Sequence, residues 1–475
     1  MSFTSLEFLV FLPLIFLLYW LVFNRSLRYQ NALILVGSYV FYGWWNWKFP
    51  GLLLLSTLID YGSAFLLTRG SSQKRKFFLA LSLFNNLLVL CIFKYYNFFV
   101  GETQHFLTHW GMETHPWLIK VILPVGISFY TFHGMSYMID VYRGNLKPVR
   151  NFIDYSMFVS FFPLLVAGPI ERATHLIPQI QRPRTFDYQQ AVQGLRLMLW
   201  GFFKKFVIAN TLAPIVDIVF ENYTHYPGSV LVLGAIYFSF QIYCDFSGYT
   251  DIALGVAKLF GFELLTNFKF PYFSRDLAEF WRRWHISLTS WFRDYIYIPL
   301  GGSKKGKLKT IRNIFLIFLI SGLWHGANWT YLAWGVIHAF GFLPLLLLGR
   351  NRRHSGSIVA HNRWFPRLGE LASMFGTFCF VTLAWVFFRS NTISNAIQYL
   401  SAMPVGLLKR PAPIFTPYLY LYVIPFVIID WCFRKNERDL PILSWRVPRY
   451  TVYALALFLI LAHTRNDVSF IYFQF

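Results

Sequence analysis

Stretches of about twenty apolar residues recur along this chain, at roughly 6–23, 31–47, 51–68, 77–100 and 117–140, with few or no charges inside them. A hydrocarbon layer about 30 Å thick takes about 20 such residues to cross as a helix. Inside it only helices and closed barrels satisfy their own backbone. The pattern predicts an all-α polytopic membrane protein. Composition agrees: 56% of the 475 residues are apolar and 13% charged, against about 45–50% and about 25% in soluble proteins. An ordinary water-soluble enzyme is thereby excluded.

The chain carries 43 Lys and Arg against 21 Asp and Glu, a net charge of +22. These bases lie mostly between apolar segments, where they fix orientation and meet lipid headgroups, so nucleic acid is not the expected partner. Arg25 and Arg28, then Arg69 to Lys76, then Arg143 to Arg150 fall on one side, whereas Gly101 to Pro116 has no Lys or Arg. The positive-inside rule makes the first set cytoplasmic and turns the N-terminus outward. Residues 1–23 read as a retained first span, without the basic leader of a signal peptide.

One stretch breaks this alternation. Phe152 to Gly168 is apolar, yet the basic segment Arg172 to Arg184 that follows would lie outside after a full crossing. A re-entrant or broken helix resolves the conflict, and such backbone is tolerated at membrane depth where protein or water covers it. Spans are expected again at 194–220 and 229–247. From Asp251 to Arg312 aromatic and charged residues alternate, which reads as an interfacial or cavity-lining helix through Phe270 to His285, followed by the basic run Lys304 to Lys309. Apolar helices resume at 311–325, 329–349, 371–388, 417–433 and 449–463. No repeat or soluble linker divides the chain, so 1–475 is expected to be a single integral domain.

Candidate chemistry centres on Ser321-Gly-Leu-Trp-His-Gly-Ala-Asn-Trp329, a polar break between two apolar helices. An ionisable residue at membrane depth is a functional candidate by default, and a histidine can take a proton from a hydroxyl near neutral pH. His325 is therefore a candidate base, the alternative being a structural histidine bonded to a carbonyl. His285, in Trp281-Arg-Arg-Trp-His285, is a second candidate, with an interfacial anchor as its alternative. Arg282 and Arg283 suit either lipid headgroups or a phosphate-bearing donor. Asp245 and Asp251, with Tyr243 before them, lie at the end of an apolar helix. They are expected to be structural, pairing with Arg or capping a helix that starts near Ser247. His133 reads as a packed, hydrogen-bonded residue. HExxH, GxSxG and P-loop motifs are missing, and His325 and His338 would lie about 140° apart on one helix, so no metal site is expected.

Taken together, Trp324-His-Gly-Ala-Asn-Trp329, Trp281-Arg-Arg-Trp-His285, Gln241-Ile-Tyr-Cys-Asp-Phe-Ser-Gly-Tyr-Thr-Asp251, Pro124-Val-Gly-Ile-Ser-Phe-Tyr-Thr-Phe132, Phe161 to Ile170 and the closing Phe470-Ile-Tyr-Phe-Gln-Phe475 resemble the membrane-bound O-acyltransferase family, most closely its bacterial alginate O-acetylase branch. That resemblance implies a ring of about 11–13 transmembrane helices, with re-entrant and interfacial helices around a thinned centre. It maps the family's invariant histidine onto His325 and its second polar position onto His285. It also implies an acyl thioester co-substrate, acetyl-CoA or acyl carrier protein, at the cytoplasmic face of a bacterial inner membrane, and no bound cofactor. The acyl group then reaches an extracytoplasmic glycan, usually through a partner acyltransferase of the SGNH or related type. The acceptor stays open among alginate, cellulose, peptidoglycan and other glycans.

On this reading the thioester enters between Lys304 to Arg312 and Arg282 to Arg283. His325 serves as general base or carries the acyl group, and Asn328, the Trp324 indole or His285 donates to the oxyanion. The alternative from another class is a transporter of an acyl carrier lipid or anionic glycan that works without covalent chemistry.

Overall fold

The computed structural model describes residues 1–112, 115, 118–119, 122–166, 168–436, 445–464 and 468–471. The described residues form helices and connecting segments, with no β-strand among them. Among the described residues six helices are long and apolar enough to cross a membrane: Phe49–Thr68, Ser72–His109, Gly228–Leu259, Trp329–Leu347, Leu368–Arg389 and Thr416–Phe433. Leu6–Val22 and Phe152–Leu165 are shorter apolar helices. The remaining expected spans fall on elements that are shorter or more polar, such as Leu27–Gly43 and Lys307–His325. Part of the expected outer loop 101–116, part of the basic loop 434–449 and the last four residues of the closing motif lie outside the described residues.

Two compact units make up the chain, which was expected as one integral domain. The first comprises Met1–Gly194 with Ala253–Leu265, and the second Leu195–Ile252 with Thr266–Phe475.

In the first unit the stretch that broke the charge alternation is a broken helix. Phe152–Ser160 ends at Phe161, whose ψ of 111° leaves the helical region, and Phe162–Leu165 restarts with a proline in its first turn. The amide freed at Phe162 donates to Ser38 Oγ at 3.0 Å, the side-chain rescue that exposed backbone in hydrocarbon requires. His133 is buried, and its Nε2 accepts from the Glu171 amide at 3.0 Å. A packed, hydrogen-bonded histidine is what this describes.

In the second unit the Phe270 to His285 stretch departs from the expected single helix. Pro271–Phe273 and Leu277–Trp281 are short turns, and a longer helix begins only at Ile286. Asp276 caps the second turn by accepting from the Glu279 amide at 2.7 Å. Arg275 holds both oxygens of Glu279 at 3.0 Å, and Arg283 adds a third bond at 2.8 Å. Phe270 and His285, both at positive φ, break the helical path at the two ends of the stretch.

Small residues set the closest helix approach. A Cβ on Gly335 would sit 2.3 Å from the Phe318 carbonyl oxygen, and one on Gly322 at 2.3 Å from that of Tyr331. Lys307–His325 and Trp329–Leu347 therefore touch backbone to backbone, as glycine-lined membrane helices do. Gly335→Val is expected to force them apart and lower the thermal unfolding temperature of detergent-purified protein. An unchanged transition would refute that contact.

Candidate functional site

His325 is the last residue of the Lys307–His325 helix, and the backbone turns extended at Gly326. Its ring is buried among aromatic faces, with centroids 5.0 Å from Trp324, 5.2 Å from Trp334 and 5.2 Å from Phe388. Trp324 links it to the second candidate, because the same indole lies 5.8 Å from the His285 ring. On the other side Trp334 lies 4.9 Å from His338. Three buried histidines are thus interleaved with two tryptophans. Among the described residues no cluster of metal-ligating side chains occurs.

His285 is held in an uncommon conformation. Its φ of 42° and ψ of 54° are left-handed, a region that costs an ordinary L residue about 1–2 kcal/mol. Backbone bonds on either side enforce it: Lys269 N–H to Arg283 O at 3.0 Å, and Ile286 N–H to Asn267 O at 2.9 Å. The ring is buried, edge-on to Phe246 at 4.7 Å. Neither ring nitrogen has a hydrogen-bond partner among the described residues. Burying polar atoms unbonded is costly, so a strained, unsatisfied histidine points to a ligand contact.

The other sequence candidates separate. Asn328 is a helix cap: its Oδ1 accepts from the Thr330 amide at 3.0 Å, and its Nδ2 donates to Asn391 O at 3.0 Å. The amide is thereby held at the start of Trp329–Leu347, with one Nδ2 hydrogen spent on Asn391 O. Arg283 is bonded to Glu279, Lys269 O and Ser357 O. Burial works against ionisation of Glu279, yet its bonds from Arg275 and the charge of Arg283 prevail and hold its pKa below the ordinary value. Arg282 spends one bond on Asn351 O at 2.9 Å, and its Nη2 has no partner among the described residues.

Arg282 lines a cavity of about 610 Å³ together with Arg293 and Arg352. The Lys307–His325 helix contributes Ile314, Ile317, Phe318 and Ser321 to the same cavity. These fall at i, i+3, i+4 and i+7, and His325 at i+11 continues that stripe. None of Lys304, Lys305, Lys307 and Lys309 lines it. Of the two basic segments expected to flank the entrance, only Arg282 lines this cavity, and Arg293 and Arg352 join it.

Asp245 and Asp251 are buried or nearly so, as expected, but their partners are lysines. Lys204 Nζ lies 2.7 Å from Asp251 Oδ2, and Lys205 Nζ 2.7 Å from Asp245 Oδ1. Neither carboxylate caps a helix near Ser247, because Gly228–Leu259 runs through that point without a break. Tyr243 donates to Asp430 Oδ2 at 3.0 Å. The two lysines sit on a π-helical turn, Phe203–Ala209, a distortion frequent at functional sites. Consecutive lysines inside an apolar span are the sequence signal for this network, and they belong to no catalytic motif.

Comparison with known proteins places these features in a family. The description "MBOAT, membrane-bound O-acyltransferase family" matches residues 146–363. The chain is 40% identical to a probable alginate O-acetylase of Pseudomonas putida, over 85% of this chain and 80% of the relative. It is 35% identical to a peptidoglycan O-acetyltransferase of Helicobacter pylori, over 85% and 79%. A teichoic acid D-alanyltransferase of Bacillus subtilis shares 31% identity, over 51% and 63%. With its polytopic helices and a polar site built inside them, the chain belongs to the membrane-bound O-acyltransferase family.

Proposed function

We propose that this enzyme takes an acyl group, in the first place acetyl, from a thioester at the cytoplasmic face of a bacterial inner membrane. The group is passed across for O-acylation of an extracytoplasmic polysaccharide or cell-envelope glycan. One observation carries the reading: a cavity lined by Arg282, Arg293 and Arg352 shares its helical stripe with His325. A phosphate-bearing donor such as acetyl-CoA or the arm of an acyl carrier protein suits the arginines, and the apolar stripe suits its chain.

The chemistry follows from the residues. An acceptor hydroxyl attacks the thioester carbonyl while His325 takes its proton. The tetrahedral oxyanion is met by His285 or the Trp324 indole, the C–S bond breaks, and the proton passes from His325 to the leaving thiolate. General-base assistance of this kind is worth about 10²–10⁴-fold. Delivery to a polymer outside calls for a second acyltransferase, of SGNH or related type, to receive the group. Thiol release from acetyl thioester by purified protein tests the reading, and a transporter would release none.

Two further expectations follow. Arg282→Gln removes a guanidinium that lines the cavity and whose Nη2 has no partner among the described residues, and should raise the thioester KM about 10–100-fold, as loss of a charge-assisted bond worth about 1.5–3 kcal/mol predicts. Arg283→Gln instead loosens Glu279, lowering thermal stability with KM little changed. An unaltered KM for Arg282→Gln would remove it from donor binding. For topology, Gly306→Cys in a cysteine-free background should resist an impermeant thiol reagent in spheroplasts. Labelling from outside would overturn cytoplasmic donor entry.

A further inference from the structure

Val468–Phe470 has no regular secondary structure, yet Phe470 and the following Ile471 are buried. Irregular backbone among apolar helices needs partners for its amides and carbonyls. Here a buried ion pair supplies them. Lys205 Nζ donates to Val468 O at 2.8 Å, and Asp245 Oδ2 accepts from the Ile471 amide at 2.7 Å, while the two side chains lie 2.7 Å apart. The pair thus holds one carbonyl and one amide three residues apart.

What this clamp fixes is the wall behind His285. Phe470 lies 4.2 Å from the Tyr249 ring and 6.0 Å from Phe246, Lys205 Nζ sits 5.4 Å over Tyr249, and Phe246 meets the His285 ring edge-on at 4.7 Å. We infer that Lys205 and Asp245 act as positioning residues that dock the segment Val468–Ile471 so that Phe470, through Phe246, sets the His285 ring for the reaction. The inference rests on the placement of His285 in the active site proposed above.

A purely structural ion pair and a positioning clamp predict different behaviour. Replacing both members of a buried pair by apolar residues is often neutral or stabilising for a fold. Lys205→Met with Asp245→Leu should therefore give folded, monodisperse protein that no longer holds the segment. Turnover should fall at least about tenfold with thioester KM unchanged, since a misplacement of about 1 Å can cost about 10²-fold. Limited proteolysis followed by intact-mass measurement should cut this variant within Val468–Ile471 while leaving that segment intact in the wild type. Phe470→Ala, with the charges in place, should show the same fall in kcat at constant KM, and Phe470→Leu should recover part of it. Wild-type kcat in Phe470→Ala, or in a folded double variant, would overturn the inference. His285→Ala assayed alongside separates the two claims. If it keeps full turnover, the site assignment fails. If it loses turnover while Phe470→Ala keeps it, only the clamp fails.

Discussion

His325→Ala is expected to abolish acyl transfer by purified, monodisperse protein, a loss of at least about 10²–10⁴-fold if the ring acts only as a base, and a total one if it also carries the acyl group. The substitution has a structural cost as well. Trp324, Trp334 and Phe388 surround the ring with apolar faces, so water does not readily fill the space left behind, and some thermal stability should be lost. His325→Gln separates the two effects, because it restores volume and hydrogen bonding without a base near neutral pH. A catalytic histidine predicts that Gln recovers stability while both variants stay inactive. Near-wild-type turnover per mole in either would end the assignment.

The second large effect is expected at His285. Removing one oxyanion donor typically costs about 10²–10³-fold in kcat, and His285→Ala should lose about that much with thioester KM little changed. Alanine at φ 42° also strains the backbone. His285→Asn is the informative companion, since asparagine tolerates the left-handed region and offers an N–H. It should regain part of the lost turnover. If Ala and Asn variants are equally active as wild type, His285 is packing for Phe246 and Trp324 and nothing more.

The Phe152 to Gly168 break shows how far charge and hydropathy carry. A single parity conflict with Arg172 to Arg184 pointed to interrupted helix, and the break falls at Phe161, where Ser38 takes the freed amide. His325 was legible for a similar reason: a polar, glycine-containing interruption between apolar runs is visible without knowing any neighbour. The stretch Phe270 to His285 was less legible. Phe270 and His285 take left-handed backbone at its two ends and Asp276 caps a turn inside it, and propensity registers no left-handed backbone at a residue other than glycine.

By itself, then, the order of residues determined the solvent this chain folds in, the helical class, the sidedness expected of its basic loops and the histidines on which to stake the chemistry. Those follow from composition and local period, which need no partner. Tertiary structure alone decided which charges are spent and which remain. It tied Arg283 to Ser357 O and Arg282 to Asn351 O, leaving Arg282 Nη2 without a partner among the described residues. Asn328 gave its Nδ2 to Asn391 O, and Lys204 and Lys205 met Asp251 and Asp245 across forty residues or more. The Ser357, Asn351, Asn391 and lysine–aspartate contacts each depend on a group brought near by chain that is distant in sequence. In an apolar interior every buried polar atom takes whatever partner the packing offers.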